Sequence, residues 1–139
     1  MKNKIIMPIV LFMLSTGCSA AGNYTPGTYT GECAENEDGD YAVVELTIGE
    51  GNKITAVDFK SYEKGGKLKD ADYGKQDGKI ANQDYYNKAQ AAMEAAEGYR
   101  QKFLETGDLG AVEAVSGATL SYDQFTECVD IALSKAEAK

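Results

Sequence analysis

The chain has 139 residues, room for one domain, and its 22 acidic against 14 basic side chains give a net charge of −8. That balance argues against nucleic acid as a partner and against a basic patch for anionic lipid. With no histidine, 3 cysteines and no C-x-x-C pair, a zinc site and a histidine-based hydrolase are all but excluded.

The first 17 residues have the layout of an export signal: Lys2 and Lys4, then an apolar run from Ile5 to Leu14 interrupted by Pro8. The run is shorter than the roughly 20 residues a membrane-spanning helix needs. LSTGC at Leu14–Cys18 follows, and it resembles the lipobox of bacterial lipoproteins. The resemblance implies that Cys18 becomes an acylated first residue. Residues 18–25 would then be a tether, and the protein would be membrane-anchored in the cell envelope, outside the cytoplasm. Ordinary cleavage among Ser19, Ala20 and Ala21 is the alternative. The other two cysteines, Cys33 and Cys128, could pair in an exported protein or remain as two buried thiols.

Alternation with a period of two predicts strands near 27–33, 41–48 and 53–62. Tyr29, Gly31 and Cys33 share one face of the first, and Ala42, Val44, Leu46 and Ile48 share one face of the second. Between the second and third stands GEGN, Gly49–Asn52, whose Gly and Asn suit the positive backbone angles of a tight hairpin. These runs predict an antiparallel meander.

Glu63–Lys79 is rich in Gly, Lys and Asp and has little to bury, so it reads as a solvated loop. Loops of that length are often functional, however, and five lysines (64, 67, 69, 75 and 79) make it the one cationic concentration in an acidic chain. The loop is therefore expected to border a site for an anionic group, with Tyr73 against the bound group or the site's wall.

Asn82 caps a helix that carries Tyr86, Ala89, Met93 and Ala96 at helical spacing. Gly98 is expected to end or kink it, a second piece then running from Tyr99 to Glu105. Tyr85, Tyr86 and Tyr99 read as packing residues. In the last helix Phe125, Cys128, Val129, Ala132, Leu133 and Ala136 trace one apolar stripe, and Ser121 with Gln124 reads as a capping box that starts it. Sheet and helices together predict an α+β fold, an antiparallel β-sheet flanked by helices.

Just before that helix the sequence reads EAVSGATLS, Glu113–Ser121. Gly117 and Ala118 leave the backbone approachable, Thr119 offers a hydroxyl, and the free amides of a helix start suit a phosphate. The same residues are also ordinary turn chemistry.

The stretch resembles the flavin-attachment motif of the bacterial FMN-binding domain family, which includes the C subunit of sodium-pumping NADH:quinone oxidoreductase, the G subunit of Rnf complexes and small electron-carrying lipoproteins. The family pattern is Asp, two residues, Ser or Thr, then Gly-Ala-Thr. Ser116, Gly117, Ala118 and Thr119 match it, and Glu113 stands where the family usually has Asp. GTYTGE at 27–32, TIGEGNKITAVDF at 47–59 and DYGKQDGKIANQDYYNKAQ at 72–90 are similar to other family segments in the same order.

This resemblance implies an FMN-binding domain over 26–139, with FMN attached covalently through its phosphate to Thr119. Ser116, Gly117, Ala118, Leu120, Ser121 and Glu113 would complete the cofactor site, with no catalytic residue and no metal. It implies electron transfer between redox partner proteins or extracellular acceptors and maturation by a flavin transferase, the membrane contact being the lipid anchor implied at Cys18. A binding or scaffolding lipoprotein that has lost flavin is the alternative. A stand-alone enzyme acting on an extracellular acceptor is a third reading, for which no substrate-site residues stand out.

Overall fold

A computed structural model describes residues 22–138; the expected signal segment and Cys18 lie outside the described residues. Four strands, β1 (Gly27–Glu32), β2 (Tyr41–Ile48), β3 (Ile54–Glu63) and β4 (Lys67–Leu68), form one antiparallel sheet in the order β1-β2-β3-β4. Two helices follow, α1 (Gln83–Thr106) and α2 (Thr119–Ala136). The α+β reading holds. Among the described residues no helix is long and apolar enough to cross a membrane.

Both helices cover one face of the sheet, α2 over β1 and β2 and α1 over β3. The pattern of β2 dictates this: Ala42, Val44, Leu46 and Ile48 are buried, and opposite them on β3 stand Ser61, Phe59, Val57 and Ile54. Phe125 of α2 is fully buried, edge-on to Phe59 at 5.0 Å and to Phe103 of α1 at 6.1 Å. Burying a side chain of that size contributes about 1.5–3 kcal/mol. The expected positive angles of the hairpin are present at Gly51 (φ 72°) and Asn52 (φ 64°).

Gly31 decides how closely helix and sheet approach. A Cβ there would lie 2.0 Å from the Cys128 carbonyl oxygen and 2.8 Å from the Ala132 amide nitrogen, so α2 sits on the bare backbone of β1. The same approach buries Cys33 and Cys128 together as free thiols that both hydrogen-bond the backbone of Ala42. The Ala42 amide donates to Cys33 Sγ (3.1 Å), and Cys128 Sγ donates to the Ala42 carbonyl (3.2 Å). The adjacent Cys128 side chain is the chief cause that holds the Cys33 thiol below its ordinary pKa. The neighbouring Cys33 and burial push the Cys128 thiol up.

Three expectations are corrected. First, α1 is one continuous helix through Gly98. Its Asn82 cap is as expected, accepting from the Tyr85 amide at 3.0 Å, and Gly107 ends it in the left-handed conformation. An isolated helical glycine costs about 1 kcal/mol, and burial of Tyr99 and Phe103 just beyond it outweighs that. Second, α2 begins at Thr119 with Ala118 as its N-cap, so Ser121 lies inside the first turn and no side chain caps the helix. The Tyr122 amide already bonds the Ala118 carbonyl (3.1 Å), which starts the helix before a capping box at Ser121 could form. Third, the lysine-rich segment is not all loop, because β4 pairs with β3 and the Lys69 amide continues the ladder to the Ser61 carbonyl (2.8 Å).

The chain's two described ends meet. Thr25 donates to the Ala136 carbonyl (2.8 Å), Ala138 donates to the Asn23 carbonyl (2.9 Å), and the Asn52 side chain accepts from the Tyr24 amide (3.0 Å). Asn23–Thr25, read from sequence as part of a tether, thus hydrogen-bonds to the end of α2.

Candidate functional site

The entry to α2 is a tight turn in which the Ala118 amide donates to the Val115 carbonyl (2.9 Å). Its third position needs a left-handed backbone, supplied by Gly117 at φ 87°. Tyr99 pins the turn from below: its hydroxyl accepts from the Val115 amide (2.8 Å) and donates to the Ala118 carbonyl (3.2 Å). Tyr99 is 2% exposed, so this hydroxyl is a fixed point in the core rather than a cofactor contact. Its role is packing and support, as expected.

Beside the turn lies a cavity of about 240 Å³. Gly117, Ala118, Leu120, Ser121 and Gln124 form its α2 wall. Tyr85, Lys88, Ala89, Ala92 and Met93 form the α1 wall, and Lys69 and Tyr73 close it from the lysine-rich segment. A second cavity of about 320 Å³ abuts it, sharing Ser61, Lys69 and Met93.

The site residues expected from sequence divide accordingly. Gly117, Ala118, Leu120 and Ser121 stand together on the cavity wall. Ser116, in the turn, and Thr119, just after it, are exposed and do not line the cavity. Thr119 is the first residue of the helix, where backbone amides have no partner within the helix and no side chain caps them. Glu113 is exposed and lines a different cavity with Tyr99, Lys102 and Val115. It is not brought to the others.

The lysine-rich segment does border the cavity, through Lys69 and Tyr73. Lys75 is turned to Asp72 (2.8 Å) and lies over the Tyr86 ring, and Lys64, Lys67 and Lys79 line neither cavity. Lys69 is held by two neighbours. Its Nζ is 2.7 Å from Asp40 Oδ2 and 4.6 Å from the centre of the Tyr73 ring, and its side chain is only 9% exposed. Burial pulls its pKa down, but the Asp40 hydrogen bond and Tyr73 outweigh it and leave the ammonium above its ordinary value. Gln124, also buried, donates to the Asp40 carbonyl (3.3 Å) and ties this corner to α2.

Tyr85 departs from its packing reading: it is 57% exposed on the cavity rim. Tyr85, Lys88 and Met93 were not singled out as site residues in the sequence. The signal for them was available, because 85, 88, 89, 92 and 93 recur at helical spacing and share one side of the helix.

The wall carries two ammonium groups, two serine hydroxyls, an amide and two tyrosine rings, and no carboxylate, in a chain of net charge −8. A Cβ added at Gly117 would meet nothing within 4 Å, so the turn is open to an approaching group. Among the described residues no cluster of His, Cys, Asp or Glu is suited to a metal. Such a wall is suited to a flat, partly apolar ligand that carries negative charge.

The family model for the FMN-binding domain matches residues 39–134. The chain belongs to the FMN-binding domain family. No curated protein and no solved structure matches it. The matched span contains every residue lining the cavity. Apolar and aromatic walls fit the flavin ring, and the lysines and open helix start fit its electron-rich carbonyls and its phosphate.

Proposed function

We propose that this domain carries FMN covalently, through a phosphoester to Thr119, and serves as an electron carrier of the cell envelope. One observation carries the reading: Thr119 presents an exposed hydroxyl at the uncapped start of α2, next to Gly117 and directly beside the cationic, aromatic-walled cavity. The unpartnered amides of that first turn, together with the helix dipole, are suited to a phosphate diester. Leu120 and Ser121 then flank the cavity mouth, Tyr73 and Tyr85 offer ring faces, and Lys69 and Lys88 supply positive charge.

FMN, when bound, supplies the redox chemistry, accepting and returning electrons. The chain's part is to hold it, set its electrostatic surroundings and leave an edge open to partners, which needs neither histidine nor metal. Exposed Tyr85 and Leu120 at the cavity mouth are suited to that edge. Glu113, exposed and away from the cavity, is suited to recognition by a flavin transferase rather than to contact with bound flavin. Acylation of Cys18 would tether the domain to the membrane, its redox partners being envelope proteins or extracellular acceptors.

The test is intact mass of denatured protein after co-expression with a flavin transferase. The wild type should gain the mass of FMN less one water, and Thr119→Ala should gain nothing while keeping its fold. Covalent flavin on Thr119→Ala would refute the attachment site. A colourless wild type with no added mass would return the chain to the scaffolding reading.

A further inference from the structure

Among the lysines of the 64–79 segment only Lys69 lines the cavity, and its surroundings differ from those of a solvated side chain. It is nine-tenths buried, fixed by Asp40 at 2.7 Å and laid against Tyr73. Its backbone is fixed as well, by the amide bond to Ser61 beyond β4. With Ser61 and Met93 it forms the boundary shared by the two cavities, whereas Gly117, Ala118, Leu120 and Ser121 line only the nearer one. A phosphate anchored at Thr119 would sit at that nearer end, and the charge of Lys69 would then lie toward the remainder of the ligand.

We infer that Lys69 is a positioning residue that faces the flavin ring and raises its reduction potential, with Asp40 as the counter-charge that sets how much of that field the ring feels. This rests on the flavin reading above and assigns a role within it. Electrons delivered to the ring add negative charge, and a fixed cation favours the state that carries more of it. Burial matters here because a buried charge is screened by salt far less than an exposed one. Lys88, on the exposed side of α1, has no such fixation and is the weaker contributor.

The two partners of the pair make opposite predictions. Removing the ammonium lowers the potential. Removing the carboxylate, which partly cancels it, raises the potential. A residue with only a structural role would give no such opposition of sign.

The experiment uses flavinylated full-length protein and the variants Lys69→Gln, Lys69→Arg and Asp40→Asn. Each is checked for bound flavin by denatured mass and for folding by thermal melt, then titrated spectroelectrochemically. At a fixed applied potential Lys69→Gln should lower the reduced-to-oxidised ratio at least tenfold, about 30 mV for a two-electron couple. Lys69→Arg should stay within threefold of the wild type, and Asp40→Asn should shift the ratio the other way. In the Thr119→Ala apoprotein, Lys69→Gln should also weaken binding of free riboflavin, which has the ring but no phosphate, at least threefold. Shifts of the same sign in Lys69→Gln and Asp40→Asn, or none in either, overturn the assignment, and so does unchanged riboflavin binding. If Lys69→Gln does not fold, the sign of the Asp40→Asn shift decides alone. Wild-type protein that takes up no flavin would instead refute the flavin reading itself, so the two failures are distinguishable.

Discussion

Tyr99→Phe removes one oxygen from the core and isolates what holds the α2 entry turn. The ring stays, and with it the edge-on contact to Tyr122 at 5.6 Å and the packing on Phe125. The Ala118 carbonyl keeps its bond from the Tyr122 amide, so it is not orphaned. The Val115 amide loses its 2.8 Å acceptor in a partly buried position. An unsatisfied group of that kind costs about 1–2 kcal/mol. For a domain of this size that corresponds to a fall in Tm of about 4–10 °C. The cost should be concentrated at the turn, so hydrogen exchange across 112–120 should accelerate about tenfold, while α1 and the sheet keep their protection to within the global loss. Urea unfolding with peptide-resolved exchange measures both. Unchanged exchange at 112–120 together with an unchanged melt would refute the claim that Tyr99 pins the turn.

Gly31→Ala should be the most damaging alanine substitution among the described glycines, because its Cβ would meet the backbone of α2 at 2.0 Å. Overpacking of this sort costs about 1–3 kcal/mol or more, and a melt within 2 °C of the wild type would contradict the close approach. Ser121→Ala should change stability by less than about 0.5 kcal/mol in denaturant unfolding, since no side chain caps α2. The Lys69–Asp40 pair predicts a pH signature. Its lysine is raised above the ordinary 10.5 when folded, so the stability it adds is complete below about that pH and is lost as pH climbs through the folded value. The Tm difference between wild type and Lys69→Met should therefore hold constant from neutral pH to about pH 9 and shrink above 10.5.

Strands were legible because their signal is local. In β2 the apolar face is written every second residue, and its observed bounds, Tyr41–Ile48, are the expected ones. What sequence could not resolve were contests between a local preference and a distant contact. Gly98 is a helix breaker by propensity, yet Tyr99 and Phe103 are buried against elements far along the chain and carry α1 across it. Ser121 and Gln124 have the spacing of a capping box, but Gln124 is turned into the core toward the Asp40 carbonyl, leaving no box to form. The candidate site divides in the same way. The small residues of its turn stand together in the sequence, whereas Lys69, Tyr85 and Lys88 come from two other segments and meet it only through the fold.

The clamp of Asn23–Thr25 onto Ala136–Ala138 has a practical consequence for handling the molecule. Between that clamp and the cavity runs the 18-residue length of α2, about 27 Å at the helical rise. Anything joined ahead of Gly22 therefore leaves the domain at the end remote from Thr119. Coupled through that end to an electrode or a bead, a layer of the protein would present its cavities outward, uniformly oriented and accessible to reagents in the bulk solution.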